Sequence, residues 1–165
     1  MRRVIALLQR VTEAKVVVDS VVVGAISSGL LVLLCAEKGD NEVSMRLLLE
    51  KLFSYRVFSD ANGKINLALK DVGGGLLLVP QFTLAADTNS GTRPSFTPAA
   101  SPDVAGKLFE QAVTYAAVLA EKWAVQAINL QKPAEIIISK GVFGTDMKVH
   151  LINDGPVTFW LQTKV

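Results

Sequence analysis

The two residue types that most often carry enzyme chemistry, cysteine and histidine, each occur once in this sequence, as Cys35 and His150. Cys35 stands in an apolar run, which favours a buried, inert thiol over a nucleophile. His150 alternates with apolar neighbours, as an exposed strand residue does, and nothing near it in the sequence suggests a catalytic triad. One cysteine cannot form an intramolecular disulfide, and structural zinc usually takes four Cys or His ligands. We therefore expect no metal and no cofactor.

Residues 79–87 are harder to explain by folding alone, because an apolar strand runs into polar residues before it ends. Pro80 has no backbone N–H, so the strand should lie at a sheet edge or a bulge there. The amides of Gln81 and Phe82 would then be free to face a ligand. A strand end with capped polar groups explains the same residues, and the sequence leaves both interpretations open.

Residues 153–160 contain the pair Gly155-Pro156 between two apolar runs. Such a pair most often forms a plain turn, and since only ~5–6% of X-Pro bonds are cis, base rates favour a trans bond. A rigid Gly-Pro would still present two backbone carbonyls in fixed directions, where they could accept hydrogen bonds from an ammonium group. Residues 141–147 place two glycines around Phe143, which indicates either a glycine-kinked strand or a pocket wall.

Composition narrows the class of protein. The chain has 165 residues, of which 50% are hydrophobic and 19% charged, and its mean hydropathy is +0.38. These values exclude intrinsic disorder, and the apolar runs are shorter than the ~18 residues that span a bilayer. A net charge of +2 without a basic tract does not by itself indicate a nucleic-acid binder. We expect one domain over residues 1–165, located in the cytoplasm, with a first strand and no signal peptide at its start.

Strands dominate the predicted secondary structure. Runs of β-branched and apolar residues bounded by turn residues are typical of strands. They occur at residues 4–11, 15–19, 21–26, 30–36, 76–79, 135–139, 146–152 and 157–161. Asn62-Gly63 indicates a further hairpin between residues 55–59 and 64–69, because both residues of the pair tolerate positive φ.

Two helices interrupt these strands. The first has Asp40 as its N-cap and ends near Phe53, and the second opens with Ser101, Pro102 and Asp103. The apolar residues at helical spacing are Val43, Leu47, Leu48 and Leu52 in the first, and Val104, Leu108, Phe109, Ala112, Tyr115, Ala116 and Leu119 in the second. Because helices occur singly, without regular βαβ alternation, the sequence predicts an α+β fold with a mostly antiparallel, barrel-like sheet and two helices.

Five stretches of the sequence, taken in order, resemble the D-aminoacyl-tRNA deacylase family. They are residues 8–11, 55–60, 81–87, 93–96 and 153–159. The resemblance covers nearly the whole chain. It implies an enzyme that hydrolyses the ester joining a D-amino acid, or glycine mischarged on tRNA(Ala), to the 3′ end of tRNA while rejecting L-amino acids. It also implies a homodimer of β-barrel-like subunits with the active site at the interface.

The resemblance assigns the substrate's amino group to main-chain carbonyls. The Gly155-Pro156 bond would be cis, and this motif would insert into the pocket of the partner subunit. Its two carbonyls would hold the α-amino group and leave no space for an L side chain. Arg10 would fix the orientation of the Gly-Pro loop, and Met147 would line the pocket.

The resemblance assigns the ester to residues 81–83. The amides of Gln81 and Phe82 would stabilise charge on the ester carbonyl, as an oxyanion hole does. Thr83 would line the same site, with its role left open because no base is in evidence to activate it. The 2′-hydroxyl of the terminal adenosine would assist the attacking water.

The sequence departs from the family pattern at two places. Position 80 is proline where the usual deacylase has serine, and a related animal group with relaxed chirality and a trans Gly-Pro bond carries Pro-Gln at this point. Residues 124–139 form a longer stretch than usual.

A relaxed-chirality deacylase is therefore an alternative, and so is a non-enzymatic tRNA-binding dimeric module. The module would draw its charge from the loop cations Lys38, Lys64, Arg93 and Lys140. A metal-dependent hydrolase is disfavoured by the scarcity of ligands.

Overall fold

A computed structural model describes residues 4–132 and 135–164 of the chain. In chain order its elements are β1 (Ile5–Val18), β2 (Val21–Ile26), β3 (Gly29–Cys35), α1 (Glu42–Ser54), β4 (Arg56–Ser59), β5 (Ile65–Ala68), α2 (Leu69–Val72), β6 (Gly74–Pro80), a 3-10 helix (Phe82–Ala85), α3 (Pro102–Asn129), β7 (Ile136–Lys140) and β8 (Lys148–Gln162).

Strand β1 organises the main sheet. One edge of β1 pairs antiparallel with β3 along its first half and with β2 along its second half, and the other edge pairs antiparallel with β8. Beyond β3 lie β6 and then β7, both in parallel pairings. Strands β2 and β7 meet where the amide of Ala25 donates a hydrogen bond to Ser139 Oγ at 3.0 Å. The sheet is thereby nearly closed into a barrel.

The predicted architecture is correct in its α+β class and barrel-like sheet, and it differs in the details. The sheet is mixed, because the long crossovers through α1 and α3 return the chain parallel to the strand it left. Within the described residues a third, short helix, α2, follows β5. The predicted strands 4–11 and 15–19 belong to the single strand β1, and the last two predicted strands belong to the single strand β8.

Strand β6 is buried on both faces, as its continuous apolar run predicts. Leu76 and Leu78 contact the core formed with α1 and α3, whereas Leu77 and Val79 contact the second core inside the barrel. This alternation follows from the two-residue period of a strand. The parallel strand thereby links the helical layer to the barrel interior and carries the 3-10 helix at its end.

The helix faces differ from the predicted ones. The N-cap of α1 is Asn41 and not the predicted Asp40, because the Asn41 side chain accepts from the Ser44 amide. Asp40 instead accepts from the Glu37 amide and the Ser44 hydroxyl. The residues of α1 that the protein buries are Ser44, Met45, Leu48, Leu49, Leu52 and Phe53. Val43, Leu47 and Val104 are expected on the apolar faces of the two predicted helices, but they are exposed.

Among the described residues, no helix combines the length and the apolar composition that a membrane crossing requires. The same part of the chain contains no group of three or more His, Cys, Asp or Glu side chains placed to hold a metal ion.

Candidate functional site

Residues 154–157 form a bulge in the middle of β8. Opposite them in β1 the register passes from Gln9 paired with Thr158 directly to Val11 paired with Asn153. Gly155 and Pro156 at the tip of the bulge are exposed, and the peptide bond between them is cis rather than the trans bond that base rates favour. The φ of Gly155 is +150°, a value that L side chains rarely adopt.

Asn153 closes the bulge at its base. Its Oδ1 accepts from the Val157 amide at 2.7 Å, and its Nδ2 donates to the Val157 carbonyl at 3.3 Å and to Thr158 Oγ1 at 3.0 Å. Neither Gly155 nor Pro156 has a partner in the register of β8 with β1. The bulge therefore presents two exposed residues outside the regular strand pairing, on a braced backbone.

Arg10 anchors the bulge from β1. Its Nε donates to the Asp154 carbonyl at 2.9 Å, and its Nη1 donates to the Val57 carbonyl at 2.9 Å. The guanidinium also lies 3.8 Å from the Asp154 carboxylate. Arg10 thus lies next to the Gly-Pro bulge, as the resemblance implies. Its guanidinium group is hydrogen-bonded to main-chain carbonyls.

The 3-10 helix at the end of β6 holds residues 81–83. The prediction that the Gln81 amide is free is wrong, because this amide donates to the Leu34 carbonyl at 2.8 Å and continues the pairing of β6 with β3. A 3-10 helix leaves its first amides without intrahelical acceptors. In the described part of the chain the amides of Phe82 and Thr83 have no hydrogen-bond acceptor. The free donors therefore lie one residue later than predicted.

The side chains of this segment are held by local contacts. Gln81 Nε2 donates to Thr83 Oγ1 at 2.5 Å. The Phe82 ring stands edge-on to the Phe96 ring, with centroids 5.0 Å apart. The hydroxyl of Thr83 is bonded to an amide and not to a base, so no hydrogen bond of this segment activates it as a nucleophile.

Cys35 lies beneath the 3-10 helix and not in the open site. It is buried, and its Sγ stands 3.5 Å from the Phe82 carbonyl oxygen. Burial, opposed in part by a backbone hydrogen bond from Ala85, raises the pKa of the Cys35 thiol to about 12. The predicted inert thiol is thus buried and neutral at physiological pH.

An apolar cleft of about 760 Å³ opens at the start of the 3-10 helix, where Phe82 lines it. Its lining includes Pro80, Gln81, Phe82, Phe96, Phe143 and Met147, together with the N-terminal end of α3. Three aromatic rings and few polar groups suit a planar, partly apolar ligand. The cleft brings together three of the residues expected at the site, Gln81, Phe82 and Met147, whereas Thr83 lies outside its lining.

Residues 141–147 form one wall of this cleft. Met147 Sδ accepts from the Val142 amide at 3.4 Å, and Thr145 Oγ1 donates to the Val142 carbonyl at 2.9 Å. A Cβ at Gly141 would stand 2.8 Å from Met147 Sδ, so only glycine fits there without a shift. Of the two interpretations left open by the sequence, the pocket wall is the correct one.

The bulge and the cleft lie on different parts of the same subunit. Val149 lines the cleft and precedes Gly155 by six residues, roughly 20 Å of extended strand. Arg10, Gly155 and Pro156 are absent from the cleft lining among the described residues. One copy of the chain therefore does not bring all the expected site residues together.

His150 and Lys140 bear on two other functions, a catalytic triad and an RNA-binding patch. His150 is exposed on β8 opposite Lys15, as predicted, and away from residues 81–83. Lys140, one of the four loop cations considered for an RNA-binding patch, is paired with Glu110 at 2.9 Å. This ion pair reduces the positive charge that such a patch would offer.

The sequence reasoning did not identify two residues that shape the site. Phe96 occurs in the quoted stretch 93–96, but its contact with Phe82 depends on the path of the loop. Val57 contributes only a carbonyl, which leaves no signal in the sequence.

Comparison with known proteins gives consistent results. The sequence profile of the family described as D-Tyr-tRNA(Tyr) deacylase matches residues 7–162. A D-aminoacyl-tRNA deacylase of Janthinobacterium sp. (strain Marseille) is 61% identical over 160 residues, and one of Herminiimonas arsenicoxydans is 56% identical over 160 residues. In both cases the match covers 97% of this chain and 97% of the relative.

Two solved structures share the fold. The c-Myc DNA Unwinding Element Binding Protein superposes with a TM-score of 0.75 at 32% identity, covering 98% of this chain and 99% of the other. A probable eukaryotic D-amino acid tRNA deacylase superposes with a TM-score of 0.76, covering 98% of this chain and 100% of the other. At 17% identity the second likeness is one of fold alone.

Proposed function

This chain belongs to the D-Tyr-tRNA(Tyr) deacylase family, and we propose that it hydrolyses the ester bond of D-aminoacyl-tRNA, releasing the free D-amino acid and tRNA. The observation that carries the proposal is the braced bulge of β8, in which Gly155 and Pro156 are exposed and stand outside the regular pairing with β1. We further propose that residues 1–165 form one domain. We place the protein in the cytoplasm, because charged tRNA is found there.

The carbonyls of Gly155 and Pro156 recognise the substrate's α-ammonium group. An ammonium group has three donors and no acceptor, so two fixed carbonyl oxygens suit it. Because main-chain atoms make these contacts, the amino-acid side chain contributes little and the range of D-amino acids is broad. The Cβ of an L-amino acid would point into the bulge itself. Glycine has no side chain, so glycine mischarged on tRNA(Ala) is accepted as well.

The free amides of Phe82 and Thr83 bind the ester carbonyl oxygen. Neither amide has a hydrogen-bond acceptor among the described residues; Phe82 lines the cleft, and Thr83 follows it in the first turn of the 3-10 helix. Such donors are placed to stabilise the negative charge that develops when water attacks the carbonyl. The proposed amide donors are therefore those of Phe82 and Thr83, in place of the predicted donors Gln81 and Phe82.

Hydrolysis proceeds without a side-chain base from residues 81–83. The water oxygen bonds to the ester carbon, the bond from that carbon to the ribose oxygen breaks, and a proton ends on that ribose oxygen. The 2′-hydroxyl of the terminal adenosine orients the water, as the resemblance implies. The aromatic cleft holds the adenosine, because the rings of Phe82, Phe96 and Phe143 line it.

A complete site requires two copies of the chain. The bulge and the cleft are separated within one subunit, whereas a two-fold axis would place the bulge of each copy in the cleft of the other. The surface that flanks the bulge suits such an interface, because the side chains of Ile152 and Trp160 on β8 are exposed at 53% and 50%. We therefore propose a homodimer with two equivalent sites.

Pro80 supports a second candidate, a deacylase with relaxed chirality. This residue ends β6, lines the cleft and contributes no amide of its own. A serine there would add a donor and a hydroxyl beside the ester. The Arg10 anchor favours the D-selective enzyme, because it ties the bulge, through the Asp154 carbonyl, to the Val57 carbonyl of β4.

The deciding experiment measures release of amino acid from matched D-Tyr-tRNA and L-Tyr-tRNA. The D-selective enzyme cleaves the D ester at least about a hundredfold faster, which corresponds to about 2.7 kcal/mol in the barrier. Equal rates on both esters would establish the relaxed enzyme instead. Tight binding of tRNA without release from either ester would identify a non-enzymatic module, and loss of activity with a chelator would identify a metal-dependent hydrolase.

Gly155→Ala is the matched variant for this assay. A Cβ at position 155 would stand 2.6 Å from Val157 Cγ2 and 2.8 Å from the Val157 amide nitrogen, so the bulge must distort. The clash and the positive φ also strain the backbone, so the thermal unfolding temperature should fall, and activity is compared at a temperature at which both proteins are folded. Activity on the D ester should fall by about a hundredfold or more.

A further inference from the structure

One wall of the cleft rests on a glycine inside a helix. Gly106 lies in α3, although glycine is among the least favourable residues for a helix interior. The ring of Phe143 lies against it, and a Cβ at position 106 would stand 3.3 Å from both Cδ1 and Cε1 of that ring. The favourable separation between carbon atoms is about 3.5–4.0 Å, so an alanine here requires the ring to move.

The ring has little freedom to withdraw with its loop. Thr145 and Met147 both bond to the main chain of Val142, next to Phe143, and hold the loop in place. The Phe143 side chain also packs against the main core, so it is fixed at its base. Phe143 also lines a small cavity of about 10 Å³, which is too small to take the ring, so a ring displaced from Gly106 moves into the larger cleft of about 760 Å³.

We infer that Gly106 is a positioning residue that keeps Phe143 out of the substrate cleft. The inference rests on the proposed function, in which the cleft holds the terminal adenosine of the substrate. Glycine at this position keeps the cleft wide at the expense of helix stability. The residue touches Phe143 and not the reacting atoms, so it acts on binding and not on the chemical step.

The test compares steady-state kinetics on D-Tyr-tRNA for Gly106→Ala and the wild type. KM should rise about three- to tenfold while kcat stays within about twofold, because the substitution narrows the binding site only. The thermal unfolding temperature should rise or stay the same, since alanine is the better helix former. Loss of activity together with a lower unfolding temperature would instead indicate a purely structural role and overturn the inference.

A second variant shows whether Phe143 mediates the effect. In Gly106→Ala/Phe143→Leu the smaller side chain removes the crowding, so KM should return to within about twofold of the value for Phe143→Leu alone. Thr114→Ala, on an exposed part of the same helix, is the matched control and should leave KM unchanged. An additive effect of the two substitutions would overturn the role of Phe143.

A binding measurement separates this inference from the proposed function. The Kd of a non-hydrolysable 3′-(D-tyrosylamido)adenosine, measured by calorimetry, should rise about three- to tenfold in Gly106→Ala. If the wild type binds this compound but hydrolyses no ester, the proposed function fails and the Kd still tests Gly106. Equal Kd values for variant and wild type, or no binding by either, would overturn the inference.

Discussion

Phe82 contributes both a backbone amide and an aromatic side chain to the site, and a pair of substitutions separates the two contributions. It is the first residue of the 3-10 helix, a position at which proline fits. Phe82→Pro removes the N–H, so kcat on D-Tyr-tRNA should fall by about 10²–10³, the usual effect of losing an oxyanion donor. Single-turnover hydrolysis measures this loss without a contribution from product release.

Phe82→Leu is the control for this prediction, because it removes the ring and keeps the amide. Its kcat should stay within about tenfold of the wild type, and its main effect should be on KM. If the leucine and proline variants lose kcat equally, the ring and not the amide carries the effect.

Cys35 gives the protein a pH dependence above the physiological range. Burial raises the pKa of its thiol from 9.0 to about 12 in the folded state. Below pH 9 the thiol is protonated in both states, and its contribution to stability is fully present. Between pH 9 and about 12 the unfolded chain loses a proton that the folded chain keeps, so stability falls as pH rises.

The measurement is urea unfolding of the wild type and Cys35→Ala at several pH values from 8 to 11. The free energy of unfolding of the wild type, relative to that of Cys35→Ala, should decrease above pH 9 by at most about 1.4 kcal/mol per pH unit. A constant difference across this range would contradict the raised pKa. Activity at pH 7.5 should change little, because the thiol contacts the Phe82 carbonyl from the buried side and is not among the residues that line the large cleft.

At the scale of the element, the bulge of β8 depends on one side chain. Asn153 makes three hydrogen bonds across the base of the bulge. Asn153→Ala removes all three and should lower kcat/KM on D-Tyr-tRNA by about tenfold or more, since each bond contributes about 0.5–1.5 kcal/mol.

Asn153→Asp is the paired variant, because its carboxylate still accepts from the Val157 amide. It should retain more activity than Asn153→Ala, with unfolding temperatures measured for both. Lower activity in Asn153→Asp than in Asn153→Ala would show that charge beside Asp154 matters more than the bond to Val157.

Local sequence patterns identified most elements and several site residues, but not the contacts between elements. The apolar run 76–79 predicts the buried strand β6 correctly, because its burial depends on its own composition. The Gln81 amide is different, since the Leu34 carbonyl that occupies it belongs to a strand far away in the sequence. Which amide is free is decided by strand register, and register is a tertiary property.

The same limit explains the errors in helix faces and strand ends. In α1 both Val43 and Met45 are apolar, and the packing of α3 decides that Met45 is buried and Val43 exposed. In β8 the Gly155-Pro156 pair looks like a turn between two strands. The continuous pairing of β1 on both sides of the bulge instead makes it one strand.

At the scale of the whole molecule, a single subunit carries the Gly-Pro bulge on β8 and the cleft at the end of β6 on separate parts of its surface. A chain of 165 residues with one Cys and one His has few catalytic side chains to offer. In the proposed function main-chain amides and carbonyls would supply the contacts instead, and such groups must be held by rigid elements to be useful. Two copies related by a two-fold axis would provide the missing half for each other.

Subunit mixing tests this arrangement with two inactive variants. Phe82→Pro damages the cleft half of the site, and Gly155→Ala damages the bulge half. In a mixed dimer one site would combine the intact cleft of the Gly155→Ala subunit with the intact bulge of the Phe82→Pro subunit, and the other site would carry both lesions. Random reassociation of equal amounts, after denaturation and refolding, makes half of the dimers mixed, so activity should recover to about a quarter of the wild-type value. If the bulge and the cleft of the same subunit formed the site, every site would carry a lesion, and the mixture would stay inactive.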